Sequence, residues 1–292
     1  MTESRKGELY ILVEGILWAF FPIVTTLSYA SVSGLASLAW STLISMFFFA
    51  AIVTYRKRWH EMWNAQLWKY VSGLVFFIGI LFYVFYFLGL ESTTPGNAAI
   101  IELFEVFTSF LFFHFFRGEA MSKEYQLGAA LMLVGAIIVL GKNFSEINRG
   151  DLLILLATVC APAGNFFQQK ARNIASAEMV LLLRTVCATP FLFFLAYAFH
   201  ASASAAQIKE VIVFLLLNGI LFLGLSKILW VEAIHRISVT KANALNVIRP
   251  FLTLVFAWIV LAQAPSAAQF LSLVPFLFGV LLLTDQIRFK SK

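Results

Sequence analysis

Residues 97–140 read NAAIIELFEVFTSFLFFHFFRGEAMSKEYQLGAALMLVGAIIVL, and residues 241–284 read KANALNVIRPFLTLVFAWIVLAQAPSAAQFLSLVPFLFGVLLLT. The two stretches align without a gap at a constant offset of 144 residues, and Phe107/Phe251 is one of several identical pairs. Each stretch contains two apolar runs of the length that a helix needs to cross a bilayer, about 20 residues. The two stretches therefore predict two copies of one membrane-embedded unit.

Apolar runs of similar length recur over the whole chain. Of the 292 residues, 61% are hydrophobic and only 12% are charged, which is about half the charged fraction of soluble domains. The bilayer is therefore the solvent for most of the chain. An offset of 143 also pairs the starts of the two halves, because Gly7-Glu8-Leu9 aligns with Gly150-Asp151-Leu152. The predicted membrane spans cover residues 9–29, 35–55, 69–90, 96–116, 125–141, 151–170, 178–199, 211–233, 240–262 and 267–285.

These spans predict an all-α integral membrane protein whose ten transmembrane helices form two five-helix repeats, residues 1–146 and 147–292. An odd number of spans turns the second copy the other way through the membrane, which makes an inverted repeat. With the N terminus in the cytoplasm, 15 of the 21 basic residues fall on the cytoplasmic side, three on the opposite side and three within spans. The positive-inside rule then predicts that both termini are cytoplasmic. Because the basic charge follows from topology, no nucleic-acid partner is expected.

Short motifs mark several spans. They are Trp18-Ala19 in span one, Gly118-Glu119 between spans four and five, Gly128 and Gly135 in span five, Gly150-Asp151-Leu152-Leu153 opening span six, and Arg249-Pro250-Phe251 in span nine. With these motifs the chain resembles the EamA-type, ten-helix branch of the drug/metabolite transporter superfamily over nearly its whole length. The resemblance implies a central cavity lined by spans one, three, four, six, eight and nine, with spans five and ten packed at the back. It also implies alternating access without ATP, and no Walker-type phosphate-binding motif occurs in the sequence.

Three positions depart from the pattern of that family. Val106 stands in span four where span nine has Pro250, and Gln263 stands where the second copy would carry Glu. In addition, Trp40 aligns with Arg184. These departures leave the substrate group open.

Six ionisable side chains lie deep within the predicted spans: Glu14, Glu102, Glu105, Arg184, Lys227 and Arg249. Such groups cost ~2.5–3.5 kcal/mol each on insertion scales, so they normally face a cavity or a partner. Helical spacing places Glu102 and Glu105 on one face of span four, and the 144 offset aligns them with Asn246 and Arg249. The alignment predicts either that these side chains line a substrate cavity or that a Glu105–Arg249 ion pair joins the two halves. Arg184 is expected to pair with a neighbour or with helix carbonyls.

The other candidates lie on spans one, three, six and eight. Glu14 and Glu102 have no aligned basic partner, so they are the candidate proton carriers. Pro22 and Pro162 are either hinges or passive kinks. Carboxylates suit a substrate ammonium, Lys and Arg suit a substrate carboxylate, and aromatic rings suit an apolar side chain or a cation. The predicted substrate-binding residues are Glu14, Trp18, Tyr83, Tyr86, Glu102, Glu105, Asn165, Gln169, Lys227, Trp230, Asn246 and Arg249.

These features favour a secondary transporter that exports a small organic metabolite, such as an amino acid or a related amphiphile, through a cell inner membrane. A proton-independent facilitator or channel is the alternative, and an intramembrane lipid enzyme is disfavoured because the four His residues are scattered. No enzymatic activity, cofactor or metal is expected, since Cys160 and Cys187 lie within spans without metal-ligand spacing. The expected partners are the metabolite, the lipid bilayer and protons as the coupling ion, for either a monomer or a homodimer.

Overall fold

The computed structural model describes residues 2–117, 123–140 and 148–283, which form ten helices, two of them interrupted, and no β-strand. Each predicted span overlaps one helix. The Gly118-Glu119 pair and the C-terminal basic residues Arg288, Lys290 and Lys292 lie outside the described residues. In chain order the helices are α1 (Glu3–Ser28), α2 (Gly34–Tyr55), α3 (Ala65–Leu90), α4 (Pro95–Glu102 and Phe104–Arg117), α5 (Lys123–Leu140), α6 (Arg149–Arg172), α7 (Ala177–Ala198), α8 (Ala205–Arg236), α9 (Val239–Leu245 and Arg249–Leu261) and α10 (Ala267–Leu283).

The helices differ in how much apolar length they offer to a membrane. Among the described residues, eight are long and apolar enough to cross one, whereas α5 and α10 are shorter apolar helices. The outer surface is rich in large apolar side chains, and Phe47, Ile259 and Leu271 are each more than half exposed. Such a surface is unfavourable in water but stable against lipid tails. The chain is therefore a multi-pass membrane protein.

Local sequence sets the helix ends in both halves. Ser and Asn side chains cap the first turns of several helices, as Ser33 does for α2 and Ser176 for α7. At the other end, α2 and α7 finish in the same way, because Lys57 and His200 adopt left-handed φ angles of 56° and 53°. Lys57 and His200 stand 143 residues apart, so the two halves share a helix terminus as well as an apolar pattern.

Helix irregularities also recur at equivalent positions in the two halves. α3 is π-helical over Val75–Phe82, and α8 is π-helical over Leu217–Leu225. α4 is interrupted at Leu103, and α9 contains a 3-10 turn over Asn246–Ile248. In α9 the cause is Pro250, which has no N–H to continue the α-helical hydrogen bonds. By contrast, α1 and α6 run unbroken through their internal prolines, so hinging there stays a prediction.

The packing leaves a space at the centre of the helices. α1 packs against α8 and α9, and α6 packs against α3 and α4. α5 and α10 pack against each other away from this centre, as the resemblance implied. Gly128 and Gly279 bring these two helices close together, because a Cβ atom at Gly128 would lie 3.0 Å from the Gly279 carbonyl oxygen. The space is therefore surrounded by the helices that carry the buried polar residues. The two short apolar helices, α5 and α10, lie outside it.

Candidate functional site

A cavity lies between α1, α3, α4, α6, α7, α8 and α9. Every predicted binding residue except Tyr86, Gln169 and Asn246 lines it. α7 also contributes through Arg184, although span seven was not expected to line the cavity. The lining residues that the sequence prediction missed are Ile78, Phe82, Ala161, Gln168, Arg184 and Asn243.

Three of the predicted binding residues do not line the cavity, for local reasons. Gln169 donates from Nε2 to the carbonyl of Ile234 at 2.6 Å, and its neighbour Gln168 faces the cavity instead. One residue rotates a helix by about 100°, which separates the two side chains. Tyr86 is fully buried among aromatic rings behind Trp18. The side chain of Asn246 lies behind the carboxylate of Glu14.

Glu14 has a basic partner, although no basic residue aligns with it at the repeat offset. The Lys227 Nζ atom lies 3.3 Å from Glu14 Oε1, and the Asn246 amide donates to Glu14 Oε2 at 2.9 Å. The hydroxyl of Ser226 also donates to Glu14 Oε1 at 3.3 Å. The ammonium of Lys227 sits 3.2 Å from the centre of the Trp18 ring. Glu14 is therefore fully buried, and both of its carboxylate oxygens accept hydrogen bonds.

The two carboxylates of α4 accept hydrogen bonds from neutral groups. Glu102 Oε1 accepts from the Trp18 indole N–H at 3.1 Å. Glu105 Oε1 accepts from the amides of Asn165 and Asn243 at 3.0 and 3.2 Å. Within the described residues, neither carboxylate has a basic nitrogen within 4.0 Å. The predicted Glu105–Arg249 ion pair is therefore not formed, and two amides bind one oxygen of Glu105.

Two arginines provide the matching positive charge. Arg184 is 3% exposed and packs its guanidinium over the Tyr83 ring, 5.5 Å from the ring centre. Gly79 in the π-helical segment makes this approach possible, since a Cβ atom there would lie 3.3 Å from Arg184 Cγ. Arg249 is 8% exposed. Neither guanidinium has a carboxylate oxygen within 4.0 Å in the part of the chain that the structure describes.

Some buried polar atoms around the cavity have no hydrogen-bond partner among the described residues. They are Glu102 Oε2, Gln168 Oε1, Arg249 Nε and the Tyr86 hydroxyl. Unpaired buried polar groups are rare in folded proteins, and each one calls for an explanation. Three of these four atoms belong to residues that line the cavity. The arrangement therefore leaves donors and acceptors unused around a central space.

Comparison with known proteins identifies the family. The sequence profile of the EamA-like transporter family matches residues 5–141 and again residues 148–285. The chain belongs to the EamA-like transporter family. An uncharacterized transporter of Bacillus subtilis (strain 168), YoaV, is 25% identical over 196 residues. The match covers 64% of this chain and 64% of YoaV, so the chain spans less than two thirds of that relative. A solved crystal structure with 18% sequence identity shares the fold over 97% of this chain and 98% of its own, with a TM-score of 0.73.

These matches confirm the resemblance seen in the sequence to a family of membrane transporters. In this EamA-like transporter the cavity is narrow. The volume of the cavity is about 40 Å³. Binding pockets for small molecules usually measure ~300–1,000 Å³. Side chains must therefore move before the cavity of this EamA-like transporter can hold an organic molecule.

Different contacts close the two ends of the cavity. Towards the end of α1 that leads into α2, Trp18 stacks on Phe21 at 4.0 Å, and Phe21 contacts Tyr86, Phe87 and Phe222. Ion pairs hold the face that carries the start of α1. They join Arg172 to Glu232 at 2.8 Å, Arg236 to Glu3 at 2.9 Å and Lys241 to Glu8 at 2.6 Å. The EamA-like transporter therefore has an aromatic seal at one end and a polar seal at the other.

Proposed function

We propose that the chain is a secondary transporter that carries a small zwitterionic metabolite, such as an amino acid or a related amphiphile, out of the cytoplasm. The observation that supports this proposal is a set of four charged side chains that line one cavity and form no ion pair among the described residues. Two are the carboxylates of Glu102 and Glu105, and two are the guanidiniums of Arg184 and Arg249.

Buried charges without partners are costly. A carboxylate or guanidinium moved from water to a low-dielectric interior loses several kcal/mol of solvation even after relaxation. Ionisable groups at membrane depth therefore usually mark a substrate or ion pathway. A ligand with one positive and one negative group supplies the missing partner to both kinds of charge. A neutral or singly charged ligand leaves one kind unpaired.

The distribution of the side chains gives the ligand an orientation. A substrate ammonium fits the α4 side, where Glu102 Oε2 has no hydrogen-bond partner among the described residues. A substrate carboxylate fits the guanidiniums of Arg184 and Arg249, which can bind it through two parallel hydrogen bonds. The apolar part of the substrate fits against Phe82 and Trp230 on the remaining wall. An amphiphilic amino acid has these three features.

The two seals support alternating access. Opening the ion-paired face exposes the cavity to one side of the membrane, and opening the aromatic face exposes it to the other. The matched irregularities of α3 with α8 and of α4 with α9 support a repeat of five crossings in each half. The excess of basic residues on one side supports cytoplasmic termini. A carrier of this kind needs two states of similar energy that the substrate binds to different extents.

Transport measurements test the proposal. We expect purified protein in liposomes to exchange labelled amino acids across the membrane, and a pH gradient to drive net flux if Glu102 carries a proton. Glu102→Gln keeps the oxygen that accepts from Trp18 but removes the charge, and Arg249→Ala removes the guanidinium. Each is expected to reduce exchange at least tenfold, because a charge-assisted hydrogen bond contributes ~1.5–3 kcal/mol.

Glu210→Gln is the matched control, because Glu210 is an exposed carboxylate at the start of α8. It is expected to leave exchange unchanged. Wild-type exchange rates for Glu102→Gln and Arg249→Ala in folded protein would contradict the assignment of the cavity. Comparing right-side-out with everted vesicles tests export. Export predicts that transport from the cytoplasmic face to the opposite face is faster than transport in the reverse direction.

A further inference from the structure

The ammonium of Lys227 occupies a position between an acid and an aromatic ring. Its Nζ atom lies 3.3 Å from Glu14 Oε1 and 3.2 Å from the centre of the Trp18 ring. A carboxylate beside the face of a Trp ring is a strong combination for recognising a cation. Because Lys227 is 9% exposed and Glu14 is fully buried, the contact is largely shielded from water.

Both recognition groups are also held by contacts that do not involve Lys227. The Asn246 amide fixes the second oxygen of Glu14 at 2.9 Å, and Gly15 leaves room for that amide. A Cβ atom at Gly15 would lie 2.6 Å from Asn246 Oδ1. Trp18 is held through its indole N–H on Glu102 and by stacking on Phe21. The acid and the ring therefore form a prearranged site, and Lys227 is its occupant.

We propose that Glu14 and Trp18 form a binding site for a primary ammonium, and that Lys227 of the same chain fills this site as a tethered cation. A tethered group competes with free ligands at an effective concentration in the millimolar range or above. Free amines are therefore excluded from the site while Lys227 is present. An amine without a carboxylate also brings a second positive charge close to Lys227, and two like charges in contact repel each other.

The site separates two classes of solute. A zwitterion can place its charges on the unpaired groups of α4, α7 and α9 without disturbing Lys227, whereas a simple amine finds its best acid already occupied. Lys227 is thus a specificity-determining residue that rejects organic cations. The existence of the ammonium site does not depend on zwitterion transport, and it can be tested by binding alone.

Chemical rescue tests the proposal. Lys227→Ala removes Cγ, Cδ, Cε and Nζ, which together have the size and shape of n-propylammonium. We expect n-propylammonium chloride to raise the unfolding temperature of the Lys227→Ala variant by a few degrees over sodium chloride at equal concentration, because a ligand that binds the folded state stabilises it. We expect no such rise for the wild-type protein, whose site is filled.

Two comparisons separate a specific site from a filled cavity. n-Propanol, a neutral probe of similar shape, is expected to stabilise the Lys227→Ala variant much less than n-propylammonium. The Glu14→Gln/Lys227→Ala double variant lacks the acid and is expected to show no preference for the ammonium. A folded Lys227→Ala variant that does not respond to n-propylammonium would overturn the proposal, as would an equal response from the double variant.

Lys227→Gln serves if the Lys227→Ala variant does not fold. Its amide ends one atom short of the Lys227 ammonium and carries no charge, so it leaves part of the site empty for the small methylammonium ion. We expect methylammonium to stabilise Lys227→Gln but not Glu14→Gln/Lys227→Gln. Equal behaviour of these two proteins overturns the proposal in the same way.

Discussion

Asp151 is a buried acid outside the cavity, and it joins the starts of two helices. It is 3% exposed, and its two oxygens accept hydrogen bonds from the Thr93 hydroxyl and from the Asn97 amide, the latter at 3.4 Å. The Asn97 carbonyl in turn accepts from Gln269 of α10 at 2.8 Å. One acid therefore connects α4 to α6 and, through Asn97, to α10.

We expect Asp151→Ala to lower the free energy of unfolding by ~1–3 kcal/mol, because it leaves two partly buried donors without an acceptor. Asp151→Asn keeps one oxygen as an acceptor and is expected to lose less. Denaturant unfolding in detergent, followed by circular dichroism, measures both changes. The same stability for Asp151→Ala and wild type would show that these hydrogen bonds contribute nothing to the fold.

The candidate site shows which side-chain contacts a sequence can predict. The polar face of α4 was predictable, because helical spacing places Glu102 and Glu105 on one side of the helix. The repeat offset then aligns Glu105 with Arg249. The Glu14–Lys227 contact was not, since the two residues lie 213 positions apart and the offset pairs Lys227 with Tyr83 instead. Asn243 could have been predicted from helical spacing, because it precedes Asn246 by three residues and so lies on the same face of the helix.

At the scale of elements, the turn between α2 and α3 holds the start of α7. Glu61 accepts from the backbone N–H and the hydroxyl of Ser176 at 2.8 and 2.7 Å, and it pairs with Arg58 at 3.0 Å. Burial raises the pKa of Glu61, but the hydrogen bonds from Ser176 and the contact with Arg58 outweigh it. The net pKa of Glu61 is therefore lower than its ordinary value of 4.5.

This lowered pKa predicts a pH-dependent contribution to stability. Because the folded-state pKa lies below the unfolded-state value, ionised Glu61 stabilises the fold above about pH 4.5, and the contribution is lost as the pH falls through the folded-state pKa. We expect Glu61→Gln to unfold at a lower temperature than wild type near pH 7, with the difference shrinking near pH 3. Glu210→Gln is the control. A difference independent of pH would mean that the carboxylate charge does not hold this turn.

The irregular parts of the helices were harder to predict than the helices themselves. Apolar length predicted each helix, because the bilayer demands about 20 apolar residues per span. The π-helical segments of α3 and α8 contain no proline that would indicate an irregular helix. The break at Leu103 in α4 also lacks one, whereas Pro250 marks the break in α9. Helix propensity predicts regular helices. It does not predict the positions at which the backbone hydrogen-bond pattern of a helix changes beside a cavity.

At the scale of the whole molecule, the two halves repeat their structure, and their orientation in the membrane is the remaining prediction. Lys57 and His200 end equivalent helices, are both exposed, and have nearly the same backbone angles. If each half contains five spans, equivalent loops lie on opposite sides of the membrane. Lys57 lies among basic residues and is expected in the cytoplasm, so His200 is expected on the other side.

Cysteine labelling tests this arrangement. We expect His200→Cys, in a background with Cys160 and Cys187 replaced by Ala, to react with a membrane-impermeant maleimide in intact cells. Lys57→Cys in the same background is expected to react only in everted vesicles. Neither substitution disturbs a glycine-dependent turn, because both positions already hold a side chain at positive φ. Labelling of both variants from the same side would rule out the inverted repeat and, with it, the exchange of inward and outward roles between the two halves.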